Sequence, residues 1–150
     1  MANVIPFSFR GALFSAQHDF ATSGNTFKLA LYTAGSGAPY STSSTVYTSG
    51  TANQVGTSGT GYSTGGNTLT SQAVASGTAV ASVDFADTEW TTATFTAAYG
   101  VIYNSTSVDG AADRLVVVLD FSGDKTCTNG TFKITFPSPT SPGDAILSMA

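Results

Sequence analysis

Apolar side chains return at every second position in short runs of this chain, and each run stops at a cluster of Gly, Ser, Asn, Asp or Pro. Along residues 26–33, Phe27, Leu29 and Leu31 share one face while Lys28, Ala30 and Tyr32 share the other; along residues 131–136, Phe132, Ile134 and Phe136 alternate with polar residues. A two-residue period suits a pleated strand with one face on a core, not a helix. Similar runs at residues 67–75, 79–85, 94–103, 115–121 and 145–149 bring the expectation to seven or eight short strands, with turn signals spaced roughly every ten residues. The fold class expected is all-β: a single β-sandwich or jelly-roll-like domain over residues 1–150.

Particular stretches carry particular expectations. Ser76-Gly77 reads as the turn of a hairpin between residues 67–75 and 79–85, with Val83 and Phe85 on the core face. Glu89-Trp90 reads as punctuation before the longest strand, where Phe95, Ala97, Tyr99, Val101 and Tyr103 line one side and Gly100 marks a bulge or a close approach. Asp109-Gly110 is a strong turn signal. Residues 115–121 are apolar on both faces through Leu119, which predicts a central covered strand; residues 124–130 read as a polar turn. Pro137, Pro139 and Pro142 predict a rigid excursion before a terminal strand with Ala145, Leu147 and Met149 on one face. The N-terminal segment, residues 1–25, includes a short helix or turn near residues 8–17, with Phe9, Leu13 and Phe14 on one face and Gly11 weakening it.

Residues 34–66 differ. Ser, Thr and Gly dominate, with Tyr40, Val46, Tyr47, Val55 and Tyr62 as isolated anchors. A structureless loop of this length is unusual inside a compact domain. The stretch is expected to form short edge strands, or an extended loop or arm that orders against a neighbouring subunit, and those five residues are the candidate interface.

The chain holds 24 threonines, 19 serines and 16 glycines against 14 charged residues. Its five cations, Arg10, Lys28, Arg114, Lys125 and Lys133, are scattered, and the net charge is −4. Backbone-directed nucleic-acid binding needs clustered cations, so no direct nucleic-acid partner is expected. No run approaches the length of a membrane span, and no membrane partner is expected. Cys127 is alone and cannot form an internal disulfide. The first residues lack a signal-peptide pattern, and the triplets at Asn104 and Asn129 are read as chance matches in a Ser/Thr-rich chain.

The residues that bear chemistry are few. His18, the one imidazole, has Asp19 as its neighbour, but abundant serines make a Ser-His-Asp match uninformative and no nucleophile elbow occurs. It is expected to be structural, its ring nitrogens satisfying backbone groups near a helix end. Asp84, Asp87 and Glu89, with Asp120 and Asp124, are the candidate metal ligands; hard oxygens suit calcium, but the spacing is not that of an EF-hand, and turn-forming aspartates on a polar face are the plainer reading. No catalytic residue, cofactor or enzymatic activity is expected. Trp90 and the tyrosines Tyr32, Tyr40, Tyr47, Tyr62, Tyr99 and Tyr103 are read as core or interface side chains ahead of a sugar-stacking platform.

Several stretches taken in order resemble a known family. They are Gln17-His18-Asp19-Phe20, residues 26–33 (TFKLALYT), Gly59-Thr60-Gly61-Tyr62, residues 65–70 (GGNTLT), residues 83–87 (VDFAD), residues 100–104 (GVIYN), residues 119–125 (LDFSGDK) and residues 132–137 (FKITFP). The ordered set, from about Gln17 to Met149, resembles the small virion structural proteins of tailed bacteriophages. The resemblance implies a non-enzymatic capsid decoration or cement protein, made in the host cytoplasm and carried on the capsid surface. Its implied partners are the major capsid protein and its own copies as a homotrimer. The alternative it leaves is a tail or head-fibre accessory protein with a receptor- or glycan-binding role.

Overall fold

The computed structural model describes residues 3–35, 37–76, 80–137 and 145–149. It is an all-β, sandwich-like domain with one short helix, α1 (Phe7–Phe14), and seven strands among the described residues: β1 (Phe27–Tyr32), β2 (Asn67–Thr68), β3 (Ala73–Ser76), β4 (Ala81–Asp84), β5 (Thr88–Asn104), β6 (Arg114–Ile134) and β7 (Leu147–Met149). They form two antiparallel sheets, ordered β2-β1-β5-β6 and β3-β4-β7.

The long β5–β6 hairpin departs from expectation in two places. Glu89-Trp90 and residues 124–130 do not interrupt the chain; both lie within strands, with Trp90 opposite Phe132 and Phe95 opposite Cys127. A strand accepts polar residues when one face is solvated, and residues 122–126 are exposed. The irregularity falls elsewhere. Ala97 pairs with Lys125 but Tyr99 pairs with Asp120, so β6 contributes extra residues there, and Ser122 and Gly123 take positive φ. The phase of β5 changes at the same place. Phe95 and Ala97 face the core between the sheets, whereas Tyr99, Val101 and Tyr103 face the opposite side, so these five side chains do not share one face. A one-residue change of phase sends every later side chain to the other surface. Gly100 is a close approach: a Cβ there would meet Leu29 Cδ1 at 3.0 Å and Phe121 Cζ at 3.1 Å. Between the strands, Asp109 and Gly110 both have positive φ and Val108 and Ala111 exchange backbone hydrogen bonds, as a two-residue hairpin turn requires.

The expected hairpin of residues 67–85 is divided. Asn67 and Thr68 pair with β1, while β3 and β4 pair in the smaller sheet. Gly66 makes the entry to β2 possible: its φ is +74°, and a Cβ would collide with the carbonyl oxygen of Leu29. Gly77 and Ala79, Pro139 and Pro142 lie outside the described residues.

α1 starts one residue earlier than expected and ends sooner. Its N-terminus is closed by the 34–66 segment, Phe7 N–H donating to Thr42 O (2.8 Å) and Ser8 Oγ to Ser44 O (2.9 Å). Its C-terminus is a Schellman turn. Ala16 has φ +53°, Gln17 N–H reaches Ala12 O (2.9 Å), and Ala16 N–H reaches Leu13 O (3.2 Å). Phe9 and Ala12 are buried, while Phe14 is 94% exposed and does not belong to the buried face.

Residues 34–66 lie back over the larger sheet. Tyr47 N–H donates to Asp113 O (2.6 Å) and Leu115 N–H to Thr45 O (3.0 Å) on the β6 side; Thr33 N–H donates to Asn53 O (2.8 Å) and Val55 N–H to Leu31 O (3.0 Å) on the β1 side. The larger sheet therefore has a core on each face. One holds Phe20, Phe27, Leu29, Phe85, Ile102 and Val117; the other holds Tyr32, Tyr47, Tyr99, Val101, Tyr103 and Leu115.

Candidate interaction surfaces

His18 and most of the aromatic candidates are held inside the fold. His18 is buried beside Phe9, Phe20 and Phe27, with ring centroids 5.0, 6.1 and 6.4 Å away. Its Nδ1 lies 3.2 Å from Asn104 Nδ2, so Nδ1 accepts and Nε2 carries the proton. Nε2 is buried without a hydrogen-bond partner among the described residues. The expected backbone partners are thus replaced by one side chain from the far end of β5, which also reaches Asn25 Oδ1 (2.8 Å) and Gln17 O (3.2 Å). Burial, with the Arg114 charge as a lesser cause, lowers the His18 pKa to about 4, so the ring is neutral at pH 7.

The acidic candidates do not converge. Among the described residues no three His, Cys, Asp or Glu side chains gather as a metal ion would require. Asp87 pairs with Lys133 (Oδ2–Nζ 2.9 Å) and accepts Phe136 N–H (3.0 Å); the Lys133 hydrogen bond, ahead of the Phe136 one, holds its carboxyl below the usual range. Asp84 is half-buried, Glu89 is exposed, Asp120 accepts Ser122 N–H (2.8 Å), and Asp124 is exposed.

The aromatics are mostly internal. Trp90 and five of the six tyrosines are buried. Tyr47 stacks on Tyr103 with centroids 4.0 Å apart, and Tyr103 Oη donates to Gly65 O (2.9 Å). Gln54 Nε2 donates to Tyr47 Oη (2.9 Å) and Tyr62 Oη (3.1 Å), and Leu31 N–H also donates to Tyr62 Oη (3.1 Å). Of the five candidate interface residues, Tyr47, Val55 and Tyr62 are thus packed on the chain's own sheet. Val46 is 41% exposed, and Tyr40 is half-buried, its hydroxyl accepting Thr48 N–H (2.9 Å).

Two open surfaces stand out among the described residues. The first is the second half of the β5–β6 hairpin. Its inner face carries Trp90, Ala93, Phe95 and Phe132 into the core, while its outer face is threonine-rich: Thr94 and Thr128 are exposed, and Thr96 Oγ1 lies 2.8 Å from Thr126 Oγ1 across the strands. The start of the outer edge of β6 is covered, Val4 exchanging backbone hydrogen bonds with Val118. From Ser122 onward, no neighbouring strand lies on that edge among the described residues. Beside it is a hollow of about 420 Å³ lined by Phe121, Phe132, Ile134, Lys125 and Lys133. The second surface is an apolar groove, also about 420 Å³, between α1 and the β3-β4-β7 sheet. Sequence reading missed it because its walls come from three distant segments.

Comparisons with protein-family models, curated proteins and solved structures found no match to this chain. No helix among the described residues is long and apolar enough to cross a membrane.

Proposed function

We propose that this chain is a non-enzymatic structural protein of a tailed-bacteriophage particle, a decoration or cement protein that binds the outside of the head as a homotrimer and ties neighbouring copies of the major capsid protein together. The ordered motifs that resemble small virion structural proteins support this reading. The observation that carries it is the open edge of β6 beside its threonine-rich face. An unpaired edge offers backbone N–H and C=O groups to a strand of a neighbouring protein, and the adjoining hollow offers a pocket for a side chain. Lys125 and Lys133 on the same stretch guard it against indiscriminate pairing, which favours one chosen partner. Closed cyclic symmetry would let each copy be satisfied without open-ended growth.

A glycan-binding accessory of head or tail would need exposed aromatic rings, and the burial of Trp90 and most tyrosines gives that reading no platform at the residues named for it.

The test is addition of the purified chain to undecorated heads. Binding at a fixed number of copies, with raised resistance of the heads to heat or chelator, is the expected result; absence of both sinks the proposal. Lys125→Glu, an exposed change, is expected to weaken binding while leaving the urea midpoint of the free protein unchanged.

A further inference from the structure

We propose that the groove between α1 and the smaller sheet docks an apolar segment of a partner protein that carries a carboxylate. This surface shares no residue with the open β6 hollow, so the inference stands apart from the edge-strand reading.

The floor is built by register. Val74, Val83 and Leu147 are paired neighbours across β3, β4 and β7, and Ala81 and Met149 form the next row on the same face. A three-stranded sheet is too narrow to hide such a face, so Val74 and Met149 stay 58% and 63% exposed. α1 forms the wall with Phe9 and Leu13, and its exposed surface is largely apolar apart from Arg10: Phe7 is 61% exposed and Phe14 more so. Val74 and Met149 are the exposed apolar side chains in the lining itself, and exposed apolar side chains gathered in a groove mark an interaction site more often than singly scattered ones do.

The charge at the groove selects the occupant. Among the described residues Arg10 is the one ionisable group that lines it. Its guanidinium lies over the Phe7 ring, 5.6 Å from the centroid, and it has no carboxylate partner among the described residues. A cation held over an aromatic ring at the rim of an apolar groove presents its hydrogen-bond fork to an incoming anion. A second copy of this chain fits poorly, because two grooves meeting face to face would bring together two Arg10 side chains with no acid from the lining of either. A foreign segment with apolar side chains and one Asp, Glu or terminal carboxylate satisfies both the groove and Arg10.

The experiment uses the whole protein and three labelled short peptides of alternating Leu and Ala around a central Glu, Gln or Lys, with affinity read by fluorescence anisotropy. Wild type is expected to bind the Glu peptide roughly tenfold more tightly than the Gln peptide, the discrimination expected of one charge-assisted hydrogen-bond pair. Arg10→Glu is expected to reverse the order so that the Lys peptide binds best. Val74→Asp, at an exposed position, is expected to weaken all three. Equal affinity of wild type for the Glu and Gln peptides overturns the proposal, as does binding of neither. Tighter binding of decanoate than of the Glu peptide overturns it in favour of a small-amphiphile site. Sedimentation showing wild type self-associated and Val74→Asp monomeric overturns it in favour of a second copy.

Discussion

The two faces of the larger sheet are both buried, but by unlike materials. The face toward the smaller sheet is packed with phenylalanine and aliphatic side chains; Phe20 and Phe27 stack with centroids 4.4 Å apart and planes 6° from parallel. The other face is covered by part of residues 34–66, a segment with one isolated bridge to β1 and one to β6, whose Val55 and Tyr62 pack in the first core instead; it is filled by tyrosines, among them Tyr47 and Tyr103, whose hydroxyls bond that same segment. The difference shows how a loop can replace a sheet as a covering layer. A loop leaves backbone groups that a ladder would have satisfied, and phenol hydroxyls reach across to bond some of them while the rings exclude water.

The contrast makes predictions that differ by face. The largest effect is expected from Phe27→Ala, which removes a fully buried ring from the phenylalanine face. It should cost about 3–5 kcal/mol in urea unfolding, and a cost below about 1 kcal/mol would show that the two sheets do not share a tight core. Acid comes next. The folded pKa of His18 lies below that of the unfolded chain, so the unfolded state binds the extra proton first. Stability from the neutral ring is fully present above about pH 6.5 and falls as pH drops toward 4, by about 3 kcal/mol. Protonation also turns Nδ1 into a donor facing the Asn104 amide nitrogen. Denaturant midpoints measured across this window should show the fall in wild type and lose it in His18→Phe.

The smallest effect belongs to the tyrosine face. Burial raises the pKa of Tyr32, Tyr47 and Tyr103, so these phenols stay neutral in the folded state after unfolded ones begin to ionise near pH 10. Their stabilisation is complete below that pH and is lost above it. Tyr103→Phe should shallow this alkaline fall, leave the acid one untouched, and cost about 1 kcal/mol at pH 7 through the lost bond to Gly65 O. A change in the acid limb instead would mean that the two faces are not separable.

What could be read from residue order was whatever a short window contains. The alternation of Phe27, Leu29 and Leu31 gave β1 and its core face, and Asp109-Gly110 gave the hairpin turn, since positive φ at both positions is a local preference. The ends of β5 and β6 were not legible, because polar residues 124–130 look like a turn until a partner strand occupies one of their edges. Nor was the phase change after Ala97, which coincides with extra residues on the opposite strand. The helix end escaped notice because Ala16, not glycine, takes the left-handed position. Of the candidate site residues, Tyr47, Val55 and Tyr62 stood out in sequence as anchors in a polar stretch, and anchors they are, but on their own sheet. Asn104, the partner of His18, gave no signal at a separation of 86 residues, and Arg10 gave none because the groove beside it is assembled from both ends of the chain.

The sequence by itself determined that this protein is made of strands: two-residue periodicity and a wealth of Thr and Gly leave little else for the backbone to do. Only the tertiary structure decided which apolar residues meet across the sheets, that part of residues 34–66 covers a face, and that Arg10, with no carboxylate partner among the described residues, stands beside an open groove. Those outcomes depend on contacts between segments far apart in the chain. Their free energy comes from jointly excluding water, and no local window of sequence contains both sides of such a contact.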